Sequence, residues 1–368
     1  MLVLTVNAGS SSIRLVAYSV NDAIQCIAVR QFSRSEGEAS TFLSSFLEDY
    51  SLQEITAVAH RVVHGGTDLV KPCLLTAEVE SEIERLSSLA PLHNPTALAW
   101  IRASRKLLGA DMPQVAVFDT AFYATLPECA AKYALPQSLC QRHGVRRYGF
   151  HGLAHRAMWQ RWRQLEPELS EGGRVISLQL GAGCSVTAID CGEAKDTSMG
   201  FSPLEGLVMA TRPGDVDPGV VTYLQRAEDL NVMEMEAVLN ESAGLLGVSG
   251  ISGDMENLLA SNDPGAREAI ELYCYRARKY VGAYLAVLGG ANAVLFGGGV
   301  GENAPRIRAG ILEGMGWCGI KLDKQANAET VGQEGRISAP ESMIDVWVVP
   351  VDEGMLLVQD AMTVISTS

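Results

Sequence analysis

The stretch over residues 2–18, LVLTVNAGSSSIRLVAY, decides the fold prediction for this chain. An apolar run over residues 2–6 is interrupted by a glycine and three serines, and a second run with β propensity follows over residues 13–18. This pattern predicts a strand, a tight polar turn and a returning strand.

The turn of this hairpin carries groups that suit a phosphate ligand. Gly9 allows close approach of the backbone, and the hydroxyls of Ser10 and Ser12 join the turn amides in a concavity for phosphate oxygens. Arg14 adds a positive charge just beyond the turn. The alternative is an ordinary serine-rich turn with no ligand.

The same form returns over residues 175–190, VISLQLGAGCSVTAID. Gly183-Cys184-Ser185 of this copy aligns with Gly9-Ser10-Ser11 of the first. A repeat at this separation predicts two related domains that face each other. We expect a ligand held in the cleft from both sides.

Length and composition agree with two globular domains. The chain has 368 residues, and its net charge of −14 argues against nucleic acid or an anionic membrane as the main partner. Its eight cysteines form no C-x-x-C pair or zinc spacing, which favours a reduced, cytoplasmic protein. The N terminus does not resemble a signal peptide. Residues 280–301 carry no charge, but glycines divide them into a predicted buried helix and a buried strand.

Two histidine pairs have the four-residue spacing of possible metal ligands. His60 and His64 flank a predicted strand end, and the Arg61 between them is a cation suited to carboxylate or phosphate. His151 and His155 are more simply a loop histidine before a helix and a histidine inside that helix. A zinc site, and with it a metal-dependent hydrolase, is the weaker alternative for both pairs.

Further chemistry is expected at strand ends. Asp119 follows the predicted strand 115–118, where α/β folds place metal ligands and bases, although it could also cap a helix. Arg212 stands in a turn rich in proline and glycine. The predicted strand 293–296 opens into a glycine loop over residues 297–303 with a helix beyond, which is a nucleotide-binding form.

Taken together, the motifs resemble one family, the acetate and propionate kinases of the sugar-kinase, actin and heat-shock-chaperone superfamily. The resembling stretches occur in family order and are VNAGSSS, HRVVHGG, APLHNP, VFDTAF, YGFHG, DTSMGFSPLEG, TRPGDVDPG, GVSGISGDM and GGGVGEN. The resemblance implies an α/β fold of duplicated actin-like, ribonuclease H-like ATPase domains with an interdomain cleft. It implies an N-terminal domain over residues 1–120 plus 355–368 for the acceptor and phosphate, and a C-terminal domain over residues 121–354 for the nucleotide.

The implied reaction is reversible, Mg²⁺- or Mn²⁺-dependent transfer of the ATP γ-phosphate to acetate or propionate by a homodimeric enzyme. The implied catalytic residues are Arg61, Asp119, His151 and Arg212. The implied substrate-binding residues are Asn7, Ser10, Ser12, Arg14, Val63, Leu92, His93, Phe150 and Pro203. The implied nucleotide-binding residues are Gly181, Gly183, Asp254, Gly297, Gly298, Gly299, Gly301 and Asn303. The implied metal ligands are Asn7 and Glu353.

The chain departs from the family pattern on the donor side. The family usually reads His-Leu-Gly-Asn-Gly in the second hairpin, whereas this chain has Gln179 and Ala182 at the histidine and asparagine positions. Glu256 stands where an arginine is common in the family. Two alternatives follow: the same fold with another phosphoryl donor, such as pyrophosphate or another nucleotide, or a non-catalytic nucleotide-binding regulatory protein.

Overall fold

The computed structural model describes residues 1–9, 12–33, 37–52, 54–91 and 93–367. Two predicted substrate-binding residues, Ser10 and Leu92, therefore lie outside the described residues. The chain divides into two compact units, Met1–Ala124 with Asp352–Ser368, and Thr125–Val351.

Strands and helices alternate along the described chain. The strands are β1 (Leu2–Ala8), β2 (Ser12–Val20), β3 (Ile24–Ser33), β4 (Ala57–Val62), β5 (Cys73–Leu74), β6 (Gln114–Phe118), β7 (Arg174–Leu180), β8 (Cys184–Asp190), β9 (Glu193–Thr197), β10 (Ala293–Gly297), β11 (Gly335–Arg336) and β12 (Asp345–Val348). The α-helices are α1 (Ala39–Asp49), α2 (Ala77–Arg85), α3 (Asn94–Leu108), α4 (Glu128–Ala131), α5 (Gln137–His143), α6 (Gly152–Leu165), α7 (Pro218–Ala227), α8 (Val232–Ala237), α9 (Gly244–Ser249), α10 (Met255–Ala260), α11 (Pro264–Leu288), α12 (Gly298–Asn303), α13 (Pro305–Leu312), α14 (Lys324–Glu329) and α15 (Glu353–Thr367).

The first unit is built on a mixed sheet of order β3-β2-β1-β4-β6-β5. The predicted first hairpin is confirmed: β1 and β2 pair antiparallel, and the Gly9 N–H donates to the Ser12 carbonyl at 2.9 Å. Strands β1, β4 and β6 run parallel, so their carboxyl ends lie at one edge of the sheet. The C-terminal helix α15 packs on these three strands.

The second unit repeats this arrangement in a sheet of order β11-β12-β10-β7-β8-β9. Strands β7, β8 and β9 are antiparallel neighbours, and β7, β10 and β12 are parallel. Strand β8 is buried at six of its seven residues, which gives this hairpin a position inside the unit. The repeat confirms the prediction of a duplicated α/β fold.

The prediction of a glycine loop over residues 297–303 is wrong in one respect, because residues 298–303 form the helix α12. Strand β10 passes directly into α12, with Gly297 as the residue before the helix. The turn is possible because Gly298 has φ +76° and because the Glu302 carboxylate accepts the Gly298 N–H at 3.0 Å. That carboxylate satisfies one of the amides that a helix start leaves without a partner.

The uncharged stretch at residues 280–301 belongs to α11, β10 and α12. None of the helices in the described part of the chain is both long and apolar enough to cross a membrane.

A buried arginine holds the other end of α12. Arg308 is 0% exposed, and its guanidinium donates to the carbonyls of Gly301 and Glu302 at 2.8 and 3.0 Å. It also donates to both oxygens of Asn327 and to the Thr330 carbonyl. Burial lowers the pKa of Arg308 to about 10. The last carbonyls of a helix have no partner within it, and here one side chain supplies their donors.

We therefore expect Arg308→Met to destabilise the second unit by about 3 kcal/mol or more, because several buried carbonyls lose a charged donor. Urea unfolding followed by circular dichroism measures this change. The matched control is Arg306→Met in the same helix, because Arg306 is exposed. The control should cost less than about 0.5 kcal/mol. Equal effects of the two variants would contradict the role given to Arg308.

Candidate functional site

The predicted site residues fall into two groups, one in each unit. In the first unit the central group is the Arg61 guanidinium on β4. Its Nε lies 3.2 and 3.1 Å from the two carboxylate oxygens of Asp119, and its Nη2 donates to Asp119 Oδ2 at 2.6 Å. Its Nη1 donates to the Asn7 side-chain oxygen at 2.9 Å. The structure thus joins three predicted residues through one side chain.

Glu353 completes this group from the start of α15. Its Oε2 accepts from the Asn7 amide at 2.5 Å and lies 3.8 Å from Arg61 Nη1. The parallel strands explain the cluster, since Asn7, Arg61 and Asp119 stand at or just past the carboxyl ends of β1, β4 and β6. Ligand sites in α/β sheets form at this edge.

The charges of the first group favour a cation. Burial by itself would lower the pKa of Arg61, but the negative charges of Asp119 and Glu353 outweigh it and raise that pKa. One guanidinium therefore faces two carboxylates. Both Asp119 oxygens are occupied by Arg61, whereas Glu353 is partly exposed, so Glu353 is the carboxylate that could reach a ligand.

The remaining described residues of the predicted acceptor side lie in varied environments. Arg14 is exposed on β2 and pairs in register with Asn7. Ser12 begins β2, and Val63 is buried directly after β4. His93 immediately precedes α3, where its side chain makes no capping hydrogen bond.

The histidines of the HRVVH segment are inside the first unit. The His60 ring lies 2.8 Å from the Gln114 side-chain amide, and His64 Nδ1 accepts the Gly66 N–H at 3.0 Å. Both side chains are buried. Among the residues that the structure describes, no three His, Cys, Asp or Glu side chains cluster as a metal site would require.

In the second unit, the glycine hairpin brings His151 and Arg212 together. A Cβ built on Gly183 would lie 2.8 Å from Arg212 Nη2 and 3.4 Å from His151 Nε2. Any larger residue at position 183 would displace one of these two side chains. His151 has φ +57°, an unusual backbone conformation for a residue with a side chain, and its Nδ1 lies 2.9 Å from Ser185 Oγ.

Arg212 differs from Arg61 in its charge environment. Its Nη1 donates to the Pro203 carbonyl at 2.8 Å, and no carboxylate forms an ion pair with it in the described part of the chain. Burial lowers the pKa of Arg212. A buried cation without a carboxylate is suited to an anionic ligand.

The loop that carries Arg212 is held by contacts that sequence reasoning missed. Glu205 pairs with Arg147 at 2.6 Å and also accepts from the Tyr133 hydroxyl. Asp215 accepts from the Tyr280 hydroxyl at 2.8 Å and from the Gly206 N–H at 3.0 Å. These partners come from distant segments, so no local pattern could have indicated them.

Next to the hairpin lies a cavity of about 890 Å³. Four predicted nucleotide-binding residues line it: Gly181, Asp254, Gly299 and Asn303. Four others, Gly183, Gly297, Gly298 and Gly301, are not among its lining residues. The rest of the wall is mostly apolar and was not predicted; it includes Ala210, Leu245, Leu259, Tyr273, Val300 and Val331.

Two features of the cavity wall bear on the altered positions. Ala182 and Glu256 both line it, and the lining contains no lysine or arginine. Asp254 caps α10 by accepting the Asn257 N–H at 2.9 Å, so part of its hydrogen-bonding capacity serves the helix.

This architecture, with the same mixed sheet twice and a polar cluster in each unit, defines a duplicated α/β protein. The model of the Acetokinase family matches residues 19–359. The chain is 50% identical over 321 residues to the acetate kinase of Solibacter usitatus, covering 86% of this chain and 78% of that protein. The chain belongs to the acetokinase family.

Solved structures agree with this membership. The crystal structure of Porphyromonas gingivalis acetate kinase matches with a TM-score of 0.89 at 38% identity and covers 99% of both chains. That of a propionate kinase from Francisella tularensis matches with a TM-score of 0.87 at 33% identity and covers 98% of both chains.

The buried histidines predict a loss of stability in acid. Burial lowers the pKa of His60 and of His64 to about 4, against 6.5 in the unfolded chain. The unfolded state then binds more protons between these values, so stability is complete above pH 6.5 and falls as the pH decreases towards 4. Each histidine should cost about 2 kcal/mol at pH 5 relative to pH 7.5.

Denaturant unfolding of wild type and His60→Gln at the two pH values measures this contribution. The variant should lose less stability on acidification than wild type, by about 2 kcal/mol. His143→Gln is the control, because His143 is exposed and its replacement should leave the acid sensitivity unchanged. Equal acid sensitivity of wild type and His60→Gln would be incompatible with a neutral buried His60.

Proposed function

We propose that this chain is an acetate kinase that transfers the terminal phosphoryl group of ATP to acetate and forms acetyl phosphate and ADP, reversibly. The observation that carries the proposal is the pair of His151 and the uncompensated Arg212 cation at the Gly183 turn. Membership of the acetokinase family gives the reaction class and the acceptor.

The geometry fits direct transfer without a covalent enzyme intermediate. The acceptor carboxylate is already ionised at neutral pH, so no strong base is needed. The transition state spreads negative charge over the equatorial phosphoryl oxygens, and fixed donors and cations stabilise it. We assign Arg212 and His151 of the second unit to those oxygens; Arg61 is the proposed catalytic cation of the first unit. Asp119 orients Arg61, because both of its oxygens accept from that guanidinium.

The first unit would also hold the metal ion. The Glu353 carboxylate and the Asn7 side-chain oxygen are hard oxygen donors, and the two carboxylates around Arg61 leave an excess of negative charge. One or two protein ligands completed by water and phosphate suit Mg²⁺ or Mn²⁺. Such an ion would neutralise charge on the phosphates.

The acid and the nucleotide are assigned to different parts of the chain. The first domain, residues 1–120 plus 355–368, would supply the acceptor and phosphate side, with Ser10, Ser12, Arg14 and His93. The side chains proposed for the methyl group of the acid are Val63, Leu92, Phe150 and Pro203. An additional methylene changes binding by about 1–3 kcal/mol, so propionate is a second acceptor to test.

The nucleotide would occupy the second domain, residues 121–354. Its cavity combines Gly181 of the hairpin and Gly299 of α12 with apolar walls suited to a base. Gly297, Gly298 and Gly301 would contribute by allowing the tight backbone turn into α12. Asn303 and Asp254 would contribute from the cavity wall.

A second candidate concerns the phosphoryl donor. Ala182 and Glu256 are in the cavity wall, and Glu256 brings a negative charge to a place where a phosphate donor would bind. These residues favour either a donor other than ATP or a nucleotide-binding protein without turnover.

Hydroxamate formation from the acyl phosphate distinguishes these functions. Donors are ATP, GTP and pyrophosphate, acceptors are acetate, propionate and butyrate, and Mg²⁺ is present. We expect turnover with ATP and acetate, and a loss of about 10³–10⁵-fold in Arg212→Ala, since a cation at the transferring phosphoryl group is removed. The exposed Arg267→Ala on α11 is the control and should keep the wild-type rate.

Turnover with GTP or pyrophosphate but not with ATP would indicate that Ala182 and Glu256 change the choice of phosphoryl donor. Nucleotide binding without turnover for any pair would reject the kinase proposal in favour of the regulatory protein.

The enzyme is further proposed to be a cytoplasmic homodimer that binds neither nucleic acid nor membrane. Helices α7 and α8 of the second unit expose four apolar side chains, Val220, Tyr223, Val232 and Met233, at 46, 62, 66 and 72%. Helices α7 and α8 contact each other, and large contiguous apolar patches on a surface often mark protein interfaces.

We expect light scattering to give twice the chain mass of 39.4 kDa, and Tyr223→Asp with Met233→Asp to give monomers. The matched control is Tyr275→Asp, because Tyr275 is exposed to a similar extent on α11. A monomeric wild type would contradict the proposal.

A further inference from the structure

A chain of hydrogen bonds leads from His151 into the core of the second unit. His151 Nδ1 lies 2.9 Å from Ser185 Oγ, and the same oxygen lies 2.7 Å from His155 Nε2. His155 Nδ1 in turn lies 2.9 Å from Ser177 Oγ. From sequence, His155 is expected inside a helix, with a zinc pair with His151 as the weaker alternative.

The secondary structure builds this chain rigidly. His151 precedes α6 and His155 is one turn later, with its N–H donating to the His151 carbonyl at 3.0 Å. Ser177 on β7 and Ser185 on β8 lie on the same face of one hairpin, because Ser177 pairs in register with Thr187, two residues from Ser185. His155, Ser177 and Ser185 are each 0% exposed.

The proton positions of the His151 and His155 imidazoles are coupled through the Ser185 hydroxyl. The Ser185 hydroxyl has one proton and touches a nitrogen of each ring, so it donates to one ring and accepts from the other. His155 is neutral, because burial and then the nearby His151 place its pKa well below the usual value. A neutral imidazole has one N–H and one acceptor nitrogen. The proton position in His155 therefore sets the proton position in His151.

The surroundings favour one direction of this chain. The Arg212 cation beside His151 opposes a second positive charge there, so His151 is best placed as a neutral N–H donor. Neutral imidazole can act in this way on an anionic reaction centre. Its Nε2, which points to Gly183, carries the proton only if Nδ1 accepts from Ser185. Ser185 then accepts from His155 Nε2–H.

The far end of the chain is consistent with this direction. Ser177 can donate to His155 Nδ1 at 2.9 Å or to the Met158 sulfur at 3.6 Å. Imidazole nitrogen is the stronger acceptor, since a thioether accepts weakly. When Ser177 donates to His155, the histidine proton is on Nε2, as the assignment for His151 requires.

We propose that His155 is a positioning residue that, through the Ser185 hydroxyl, holds His151 in the neutral tautomer with its proton on Nε2, directed to the transferring phosphoryl group. The inference rests on the proposed function for the identity of that group. The tautomer itself is a property of the protein alone and can be measured without turnover.

The test uses the full chain with ¹⁵N-labelled histidine. Long-range ¹⁵N spectra distinguish the two neutral tautomers and the imidazolium, and His151→Gln and His155→Gln assign the two signals. At pH 7.5 both rings should be neutral with the proton on Nε2. Observation of the Nδ1–H tautomer or of imidazolium at His151 would overturn the proposal.

Two variants at position 155 separate positioning from packing. His155→Phe fills the space but breaks the hydrogen-bond chain, so His151 should no longer occupy one tautomer. We expect kcat to fall about 10–100-fold, as activity does when the partner that orients a metal-bound histidine is lost. The KM for acetate and the affinity for ADP should stay at wild-type values. His155→Gln keeps one donor and one acceptor and should recover most of the activity.

Thermal unfolding of each variant identifies a general loss of structure. An unchanged His151 spectrum and kcat in a folded His155→Phe would overturn the proposal, as would equal defects in the Phe and Gln variants. If wild type shows the expected tautomers but no kinase activity, the proposed function fails while the positioning of His151 stands.

Discussion

The first unit depends on keeping the buried guanidinium of Arg61 satisfied. An arginine that is almost removed from solvent must be paired, and removing one partner of such a pair typically costs about 3–5 kcal/mol. Here the partners are Asp119, Asn7 and Glu353. Three of these four residues come from the ends of adjacent parallel strands, so the sheet order largely determines the cluster. The fourth residue, Glu353, is the first residue of α15, which begins just after the chain returns to the first unit at Asp352.

Arg212 of the second unit differs from Arg61 in that no ion pair with a carboxylate compensates its charge in the described part of the chain. Arg61 is compensated by carboxylates, whereas Arg212 is buried against a carbonyl and a glycine turn and keeps an uncompensated charge. Electrostatic stabilisation of a transition state is effective when the charged group is held in place before the reaction and does not have to be moved. In the proposed reaction the turn around Arg212 would provide this, because Asp215 and Glu205 are themselves fixed by Tyr280, Tyr133 and Arg147.

Much of the fold and part of the candidate site could be predicted from sequence, and the features that could not depend on contacts that local patterns do not encode. Both hairpins and the long helix α11 were predicted because local patterns define them. The glycine run after β10 was predicted as a loop, since nothing local shows that Glu302 would cap a helix there. The cavity wall, the hydrogen bonds of Arg308 and the hydrogen-bond chain through His155 depend on contacts between distant segments. The single serine in each of the apolar strands β7 and β8 was the one available signal, because a buried hydroxyl requires a partner.

Three departures from the family pattern, Gln179, Ala182 and Glu256, lie in the second unit. Ala182 and Glu256 line the cavity, and the side-chain oxygen of Gln179 is buried without a hydrogen-bond partner among the described residues. The proposed catalytic residues Arg61, Asp119, His151 and Arg212 are all present in this chain. Interactions that act only on the reacting phosphoryl group determine the rate of transfer, whereas the cavity wall acts on the non-reacting part of the donor. In the proposed reaction, the substitutions at positions 182 and 256 would therefore act on donor binding rather than on the groups assigned to the transferring phosphoryl group.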